Sequence, residues 1–434
     1  MIRVEMVTDE RLESIIDELN KLRSIKYIDR RIEQDVKKII QDVIDRGDAA
    51  LIEYTEKFDG VKLDRDEIMI KREEIDEAYS KVGEREISAL KVIKKNIMRV
   101  EERNLKGLRW RIRNKGVEII NHIKPIESVG CYVPGGRASY PSSVLMTAIP
   151  SIVAGVPRIA ICTPPSRSKT LNPLTLVAAD ICGVKEIYRV GGAQAIAALA
   201  YGTESIKPVK KIVGPGNIYV TVAKKIVSSD VSIDILAGPT ELLIIADHKT
   251  DLKNVVRDLI SQAEHGEESI CGVVTTSKDI ADRIIDLLKK ILPSIERRGI
   301  VENALSNRSF IAICESMDQV IKFANLFAPE HLEIMVEGAD EYVDKIDSAG
   351  LILLGEYSPS TMSDYYVGTN HVLPTGGSAS IYSALSILDF VKRINVVKCS
   401  KEYLRRSAET IRTVATIEGL YNHWLAVEER LKED

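Results

Sequence analysis

The chain has 434 residues, of which 45% are hydrophobic and 29% charged, and its formal net charge is −4. This length suffices for two or three domains with a sizeable core. Lysine and arginine are not gathered into one patch, and no run approaches the ~20 apolar residues of a membrane span, so we expect neither a nucleic-acid nor a membrane partner. The N-terminus lacks the apolar core of a signal peptide, and the six cysteines are scattered without a CxxC pair. These features favour the reducing cytoplasm over a disulfide-stabilised secreted protein.

The first part of the chain, residues 1–110, predicts a series of highly charged helices. In the segment 30–60 apolar residues recur at helical spacing, and Gly47 and Gly60 supply stops. Near residue 120 the pattern changes to strand-like runs, Gly-rich turns and short apolar helices in alternation. This repeated β–turn–α order predicts a parallel sheet with helices on its faces.

A second α/β series begins after residue 240, with ELLIIADH as its first strand-like run and GLILLGEY as its last. Helical runs such as DLKNVVRDLISQAEHG and MDQVIKFANLFAP separate its strands. We therefore expect two α/β regions in one chain. The last part of the chain, residues 385–434, predicts helix again.

Three turns of the first α/β region are candidates for phosphate binding: VPGGRASYPSS, VGGAQAIAA and VGPGNIYV. Each follows a strand-like run, and the last two open directly onto helices, whose N-termini favour anions. None of them is GxGxxG, so the standard dinucleotide fingerprint is absent. Each turn alone fits an ordinary strand-to-helix connection, whereas three in one region favour a nucleotide or phosphate ligand without identifying it.

Several polar residues have the donor types of a metal site. Gln262 and His265 stand three residues apart at the end of a predicted helix, so they share one face, and Gly266 is a natural stop. This pair suits a metal ion, but it also fits a polar last turn with a histidine near the helix dipole. Asp364 and His371 fall in an irregular loop. Such side chains suit zinc when a fold gathers them, which their spacing alone does not show.

Two further pairs complete the candidates. In FAPEHLEI, Glu330 and His331 follow Pro329, and this stretch alone indicates a helix start with a structural histidine. In the second α/β series, however, HLEIMVEG is one of the strand-like runs, so His331 would begin a strand. A carboxyl group beside an imidazole is also a candidate pair for proton transfer. Glu418 and His423 lie near the chain end, where a histidine is usually exposed.

Together these motifs resemble the histidinol dehydrogenase family, zinc- and NAD-dependent oxidoreductases that complete histidine biosynthesis. The matching blocks, in family order over most of residues 120–380, are GCYVPGGRASYPSSVLM, GGAQAIAALAYGT, KIVGPGNIYVT, IDILAGPTELLIIAD, DLISQAEHGEES, FAPEHLEI and DYYVGTNHVLPTGGSA. The resemblance implies an α/β fold of two Rossmann-like parallel-sheet domains that lack the GxGxxG fingerprint, plus helical N-terminal and C-terminal extensions. The implied division is an N-terminal helical extension at 1–24, a first domain at 25–131 plus 241–384, a second domain at 132–240, and a helical tail at 385–434.

The resemblance also implies a reaction and its cofactors. L-histidinol is oxidised to L-histidine through a bound aldehyde, in two successive NAD⁺-linked steps. One zinc ion per subunit is implied to be held by Gln262, His265, Asp364 and His423. NAD is implied to contact Tyr132, Gln194 and Asn217, one residue from each Gly-rich turn.

The remaining implied roles concern proton transfer, the substrate and the oligomer. Glu330 and His331 are implied to be the acid–base pair. The family enzyme is a homodimer, so the tail would carry Glu418 and His423 to the partner's site. The implied substrate contacts are Thr240, Gln262, His265, His331, Asp364, His371, Glu418 and His423.

The chemistry explains why Glu330 and His331 stand together. Oxidising an alcohol to an acid removes four electrons, and the nicotinamide accepts them as hydride. A neutral imidazole takes the hydroxyl proton near pH 7, and a neighbouring carboxylate activates the water that attacks the aldehyde. Zinc would orient the substrate through its amine and imidazole nitrogens, the template role of a metal.

Three positions depart from the family pattern, and three alternatives stay open. Thr240 stands where the family often has Ser, a change that keeps the hydroxyl. Ser363 stands where Gly commonly precedes the Asp, and Ser360 where some members carry Glu, which bears on substrate discrimination. A paralogous zinc enzyme for another small alcohol, such as a sulfonated diol, would want an Arg or Lys near its anionic substrate. A non-catalytic nucleotide-binding protein would not need the acid–base pair and all four ligands together. A covalent route through a thiohemiacetal would use Cys131 beside Tyr132.

Overall fold

The structure, a computed structural model, describes residues 2–23, 30–135 and 140–432. Residues 136–139 of the first Gly-rich turn lie outside the described part of the chain. The strands are β1 (Arg3–Met6), β2 (Arg111–Asn114), β3 (Val117–Pro125), β4 (Ser128–Tyr132), β5 (Arg158–Cys162), β6 (Glu186–Tyr188), β7 (Lys211–Val213), β8 (Ser232–Ile233), β9 (Glu241–Ala246), β10 (Ile270–Thr275), β11 (Phe310–Ile313), β12 (His331–Met335), β13 (Leu351–Leu354) and β14 (Val391–Cys399). The α-helices are α1 (Asp9–Arg23), α2 (Arg30–Arg46), α3 (Asp48–Asp59), α4 (Arg72–Ser80), α5 (Glu84–Gly107), α6 (Pro141–Ala154), α7 (Pro173–Ile181), α8 (Gly192–Tyr201), α9 (Ile218–Val227), α10 (Leu252–Ala263), α11 (Lys278–Ile291), α12 (Arg298–Asn307), α13 (Met317–Phe327), α14 (Ser360–Tyr365), α15 (Lys401–Ile417) and α16 (Tyr421–Leu431).

Six strands form a parallel sheet in the order β1-β11-β10-β9-β12-β13. Its central strands are buried along their whole length, as in ELLIIA of β9, because a parallel sheet is covered by helices on both sides. Helices α10, α11 and α12 pack their apolar faces on one side, and α1 and α13 pack on the other. The sheet therefore has an apolar core on each face.

Five other strands form a second parallel sheet in the order β6-β5-β4-β7-β8. Helices α4, α5, α6 and α7 share the core on one of its faces. Helices α2, α3, α8 and α9 share the core on the other. Two parallel sheets, each covered by helices on both faces, confirm the predicted α/β class.

The N-terminal residues are distributed differently from the predicted division. Residues 3–6, expected in a helical extension, pair with β11 at the edge of the six-stranded sheet. Helices α2 to α5, expected in the first domain, pack on the five-stranded sheet, and β4 of that sheet begins before the expected boundary at 131/132. The physical reason is that an amphipathic pattern shows which face of a helix is buried, but not which sheet covers it.

The region after residue 385 also departs from the predicted helical tail. Strand β14 pairs antiparallel with β3 along its nine residues, and β2 completes a three-stranded sheet. Its segment VKRINVVKC contains β-branched residues, which favour the extended chain where a partner strand is available. Helices follow only after this strand, and α15 and α16 pack on each other around the buried Ala415 and Trp424.

The described residues bear on two points of the sequence analysis, a membrane-spanning helix and the thiohemiacetal route through a cysteine. No helix within residues 2–23, 30–135 and 140–432 is both long and apolar enough to cross a membrane. All six cysteines are free thiols, five of them buried and Cys399 exposed. Full burial raises the pKa of Cys131 to about 12, so this thiol does not form a nucleophilic thiolate near neutral pH. The thiohemiacetal alternative therefore has no support.

Candidate active site

A cavity of about 250 Å³ lies beside the amino ends of β9 and β12. Thr240 directly precedes β9, and Glu330 directly precedes β12, whose first residue is His331. Helix α10 follows β9 and runs back along the sheet, so its end brings Gln262 and His265 to the same edge. The predicted site residues that line this cavity are Thr240, Gln262, His265, Glu330, His331, Asp364 and His371.

The stretch FAPEHLEI joins a helix to a strand. Helix α13 ends at Phe327, Ala328 takes a left-handed conformation with a φ of 46°, and β12 begins at His331. The interpretation as a helix start is therefore wrong, because Pro329 follows a helix end. A non-glycine residue in the left-handed region is unusual and marks local strain beside the polar pair.

The imidazole of His331 is held as a neutral base. Its Nδ1 lies 3.2 Å from the backbone oxygen of Glu241, which can only accept, so Nδ1 carries the hydrogen and Nε2 keeps its lone pair. Among the described residues Nε2 has no hydrogen-bond partner, and Asp364 Oδ1 lies 3.8 Å from it. Burial lowers the pKa of His331 to about 4, so the ring is neutral near pH 7. Nε2 is therefore free to accept a proton from a bound molecule.

The carboxyl group of Glu330 is fixed by a chain of hydrogen bonds. Thr240 Oγ1 and the backbone N–H of Glu241 each donate to Glu330 Oε2 at 2.7 Å. Gln262 Nε2 donates in turn to Thr240 Oγ1. Burial raises the pKa of Glu330 well above its ordinary value despite these bonds, because the charged form has lost most of its water. Since Glu330 Oε2 lies 3.7 Å from His331 Nδ1, the two groups serve one cavity.

A buried ion pair between Arg23 and Glu241 lies next to Glu330 and His331. Arg23 Nη1 donates to Glu241 Oε2 at 3.0 Å, and both side chains are 0% exposed. Arg23 also donates to the backbone oxygen of Phe327 and stacks 3.9 Å from the centre of its ring. The N–H of Gly376 donates to Glu241 Oε1. Because the backbone of Glu241 contacts both members of the acid–base pair, the ion pair fixes the strand end that holds them.

Three of the four predicted metal ligands line the cavity. Gln262, His265 and Asp364 supply an amide, an imidazole and a carboxylate, donors that zinc accepts. Burial lowers the pKa of His265, which keeps its imidazole neutral and available as a ligand. Burial raises the pKa of Asp364 to about 7, a shift that a bound cation would oppose. Within the described ranges no group of three or more His, Cys, Asp or Glu is placed to hold a metal. The fourth predicted ligand, His423, lies outside this cavity.

His371 forms the opposite wall of the cavity. Its Nδ1 lies 3.3 Å from the backbone oxygen of Asp364, and its Nε2 lies 3.4 Å from Ser143 Oγ. Burial lowers the pKa of His371 to about 4, so this ring is neutral as well. The wall therefore offers neutral hydrogen-bonding groups to a small polar molecule.

A second cavity, of about 590 Å³, lies at the carboxyl ends of strands in the five-stranded sheet. Tyr132 ends β4, Gln194 lies in the first turn of α8 after β6, and Asn217 caps α9 after β7. All three predicted NAD contacts line this cavity, and Pro134 lines both cavities. Nucleotides bind at the carboxyl ends of parallel strands, so the second cavity is the candidate site for a dinucleotide.

Two residues of the tail and two of α14, all singled out in the sequence, line neither cavity. Glu418 and His423 lie on the exposed tail, at the end of α15 and within α16. Ser360 and Ser363 are buried in α14, where the Ser360 N–H donates to Glu333 Oε1 and the Ser363 hydroxyl donates to the backbone oxygen of Ser360. The two serine departures therefore change the packing behind the cavity and not its lining.

Arg23, Glu241 and Ser143 contact residues of the site but were not predicted as site residues from the sequence. Glu241 had a detectable signal, since it is a charged residue that opens the otherwise apolar strand ELLIIA. Arg23 had none, because it is one of 60 lysines and arginines in the chain. Its role depends on a contact with a residue 218 positions away, which no local pattern shows.

Comparisons with known proteins point to one family. The family model described as histidinol dehydrogenase matches residues 23–431. Histidinol dehydrogenase of Methanocaldococcus jannaschii is 45% identical over 424 residues, which cover 96% of this chain and 98% of that protein. The Bacillus subtilis histidinol dehydrogenase is 42% identical over 414 residues, covering 95% and 96%. The crystal structure of histidinol dehydrogenase from Elizabethkingia anophelis superposes with a TM-score of 0.93 at 37% identity, covering 99% of this chain and 98% of that chain.

Proposed function

Because this chain belongs to the histidinol dehydrogenase family of oxidoreductases, we propose that it oxidises L-histidinol to L-histidine with two NAD⁺, through bound L-histidinaldehyde, as the last step of histidine biosynthesis. The observation that carries the proposal is the neutral His331, whose Nε2 has no hydrogen-bond partner among the described residues and whose Nδ1 lies 3.7 Å from Glu330 Oε2. Both groups line a cavity that shares Pro134 with a second cavity of a size suited to a dinucleotide. We place this reaction in the cytoplasm, where the free thiols of the chain stay reduced.

In the alcohol step, His331 Nε2 accepts the hydroxyl proton of the substrate. NAD⁺, held by Tyr132, Gln194 and Asn217, supplies the acceptor for the hydride from the same carbon. The Nδ1–H bond to the backbone of Glu241 keeps the ring in the tautomer that this step needs. Because the site is buried, bulk water is excluded, and this protects the bound aldehyde from side reactions.

In the aldehyde step, Glu330 takes a proton from the water molecule that attacks the carbonyl carbon. Its raised pKa makes the carboxylate a stronger base than an exposed glutamate. His331, protonated in the alcohol step, returns that proton to the carbonyl oxygen as the water adds. The neutral ring then accepts a proton from the resulting hydrate while the second hydride would pass to the second NAD⁺. Two proton acceptors beside one carbon are therefore what a double oxidation requires.

The donor set supports a zinc ion. Gln262, His265 and Asp364 would hold it together with His423 of the partner subunit. Zinc supplies a Lewis-acid template that binds the amine and imidazole nitrogens of histidinol. The neutral His265 fits this role, and so does Gln262, whose amide nitrogen already donates to Thr240 and leaves its oxygen for a cation. His371 and Glu418 would complete the substrate contacts.

The exposed tail supports a homodimer. Large apolar side chains remain uncovered on α15, α16 and the turn between them, and Ile417 is 79% exposed. The other exposed apolar residues of this surface are Val414, Leu420, Tyr421 and Leu425. Such a surface is expected to contact a partner. Because His423, the fourth predicted zinc ligand, lies on this exposed tail and outside the first cavity, we propose that the tails are exchanged between subunits.

Mixing two inactive variants tests the tail exchange. His331→Asn removes the base, and His423→Asn removes the tail ligand, so each homodimer should be inactive. After mixing and subunit exchange, half of the dimers carry one intact site, so about a quarter of the wild-type activity should return. If the tail served its own chain, no mixed dimer would contain an intact site and the activity would stay absent.

The reaction is tested by the NADH formed per substrate consumed, with Zn²⁺, excess NAD⁺ and limiting L-histidinol. We expect two NADH per histidinol, and we expect a chelator to abolish turnover until zinc is restored. One NADH with free aldehyde would contradict the role of Glu330. Turnover of a sulfonated alcohol instead of histidinol would favour the paralogous enzyme. That alternative is disfavoured because no Arg or Lys of the described residues lines the first cavity.

Thr240→Val should lower kcat/KM for histidinol by about tenfold or more. The substitution keeps the shape of the side chain but removes the hydrogen bond to the Glu330 carboxylate, and such charged bonds contribute about 1.5–3 kcal/mol. It also removes the acceptor that orients Gln262. Thr240→Ser keeps the hydroxyl and is the matched control, so its steady-state kinetics should stay near those of the wild type. Equal kinetics for both variants would contradict the role of this hydroxyl.

A further inference from the structure

One carboxyl group of the second cavity is not explained by the fold. Asp59 is the last residue of α3, where the unpaired carbonyl groups of a helix end repel a negative charge. Its Oδ2 is closed to solvent and has no hydrogen-bond partner in the described part of the chain. Burial raises the pKa of Asp59 to about 6. Asp59 is half-buried as a residue, and a carboxylate oxygen that is closed to solvent without a partner lowers the stability of a fold. Such exceptions are expected where a site needs the group.

Asp59 shares the cavity with other polar groups whose hydrogen-bonding capacity is not fully used by the described residues. Gln194 is 1% exposed, and neither of its amide atoms has a partner among the residues described. The Tyr132 hydroxyl accepts a hydrogen bond from the Gly192 N–H at 3.1 Å, which leaves its own hydrogen to donate. Burial, and to a lesser extent the charge of Asp59, raise the pKa of Tyr132, so the carboxyl group lies near the phenol. The ligand of this cavity therefore needs both donors and acceptors.

The position of Asp59 indicates which half of a dinucleotide it meets. Helices α2 and α3 line the second cavity and contribute nothing to the first. Because Pro134 lines both cavities, a dinucleotide with its nicotinamide ring at His331 passes Pro134 and reaches α3 with its adenosine half. That half donates hydrogens from the adenine amino group and from the ribose diol. The diol presents two adjacent hydroxyl groups to one carboxylate, and a carboxylate accepts them in other parallel-sheet nucleotide sites.

We propose that Asp59 binds the hydroxyl groups of the adenosine ribose and thereby selects NAD⁺ over NADP⁺, an inference that rests on the proposed use of a nicotinamide dinucleotide. In NADP⁺ a phosphate replaces the 2′-hydroxyl, which removes a donor and brings like charges together where water is scarce. The other charged residues of this cavity are exposed at its rim, so solvent screens them far more than Asp59. They are Asp35, Lys38 and Lys57.

Titration of nucleotides into the protein, without histidinol, tests this proposal. Asp59→Asn keeps the size of the side chain and should raise the Kd of NAD⁺ by about tenfold, since a hydrogen bond to a charged group is lost. For 2′-deoxy-NAD⁺, which lacks the adenosine 2′-hydroxyl, the Kd should differ by less than about threefold between variant and wild type, because only the 3′-hydroxyl remains for Asp59 to bind. NADP⁺ should bind the variant at least as tightly as it binds the wild type. Glu56→Gln removes an exposed carboxylate from the same helix and is the matched control, with an expected change below about twofold.

Three results would overturn the proposal. The first is an unchanged Kd of NAD⁺ in Asp59→Asn, and the second is an equal loss for NAD⁺ and 2′-deoxy-NAD⁺. The third is a wild-type protein that binds NADP⁺ as tightly as NAD⁺. Because the titration needs no turnover, a protein that binds NAD⁺ through Asp59 but does not oxidise histidinol would contradict the proposed function alone.

Discussion

The His331→Asn variant should lose about two to four orders of magnitude in kcat for histidinol oxidation, with little change in the KM of NAD⁺. The asparagine amide can still donate to the backbone oxygen of Glu241, so the strand end keeps its geometry. It has no atom that accepts a proton near pH 7, so the hydroxyl proton of the alcohol has nowhere to go. Steady-state NADH formation at saturating histidinol measures the effect.

The matched control for this variant is His248→Asn. His248 is exposed in a turn after β9 and lines neither cavity, so its loss should leave kcat unchanged. A loss of less than about tenfold in His331→Asn would show that another group accepts the proton. Glu330 would then be the first candidate, since its Oε2 lies 3.7 Å from the same imidazole.

Arg23→Met should lower the free energy of unfolding by about 3–5 kcal/mol, the usual cost of removing one partner of a buried ion pair. Methionine fills similar space, but it leaves the fully buried carboxyl group of Glu241 without its cation. The backbone oxygen of Phe327 loses a donor in the same change. Urea denaturation followed by circular dichroism measures the difference.

Two further variants separate the ion pair from general effects of arginine removal. Arg298→Met breaks an exposed pair with Glu302 and should cost less than about 1 kcal/mol. The double variant Arg23→Met/Glu241→Gln removes the buried charge as well, so it should recover part of the stability lost in Arg23→Met. A stability loss in the buried single variant no larger than in Arg298→Met would refute the structural role of the pair.

The sequence supported the site better than it supported the domain organisation. Long motifs such as FAPEHLEI and DYYVGTNHVLPTGG carry a family resemblance, and the seven predicted residues on them or near them line one cavity. Glu418 and His423 stay apart from that cavity in the single chain, so their roles remain a prediction about the dimer. The strand-to-helix order likewise predicted two parallel sheets, because hydrophobic periodicity is a local property.

The assignment of helices to sheets was beyond the sequence for a physical reason. Helices α2 to α5 have one apolar face each, and either parallel sheet offers an apolar surface to cover. Strand β14 looked like part of a helical tail because its partner β3 lies far away in the chain. Long-range pairing decided both cases, and neither composition nor periodicity reports it.

The two cavities also differ in where they lie on their sheets. Tyr132, Gln194 and Asn217 follow strand ends at the carboxyl edge, the usual place for a nucleotide. Glu330 and His331 stand at the amino edge of the other sheet, where a parallel α/β fold is not expected to carry chemistry. Knowledge of the fold class alone would therefore have pointed to the second cavity as a nucleotide site, but it would not have pointed to the edge at which Glu330 and His331 lie.

The six-stranded sheet is built from two segments that lie far apart in the sequence, and this affects the order in which the chain folds during synthesis. Its edge strand β1 comes from residues 3–6, whereas β9 to β13 come from residues 241–354, after the whole five-stranded sheet has been made. During synthesis from the N-terminus, β4 to β8 can pair while β1 and Arg23 still wait for β11 and Glu241. Closing a chain of 218 residues between Arg23 and Glu241 is a late and slow event. A nascent chain would thus complete the sheet of the second cavity first, and the sheet that carries Glu330 and His331 only after residue 354 has been made.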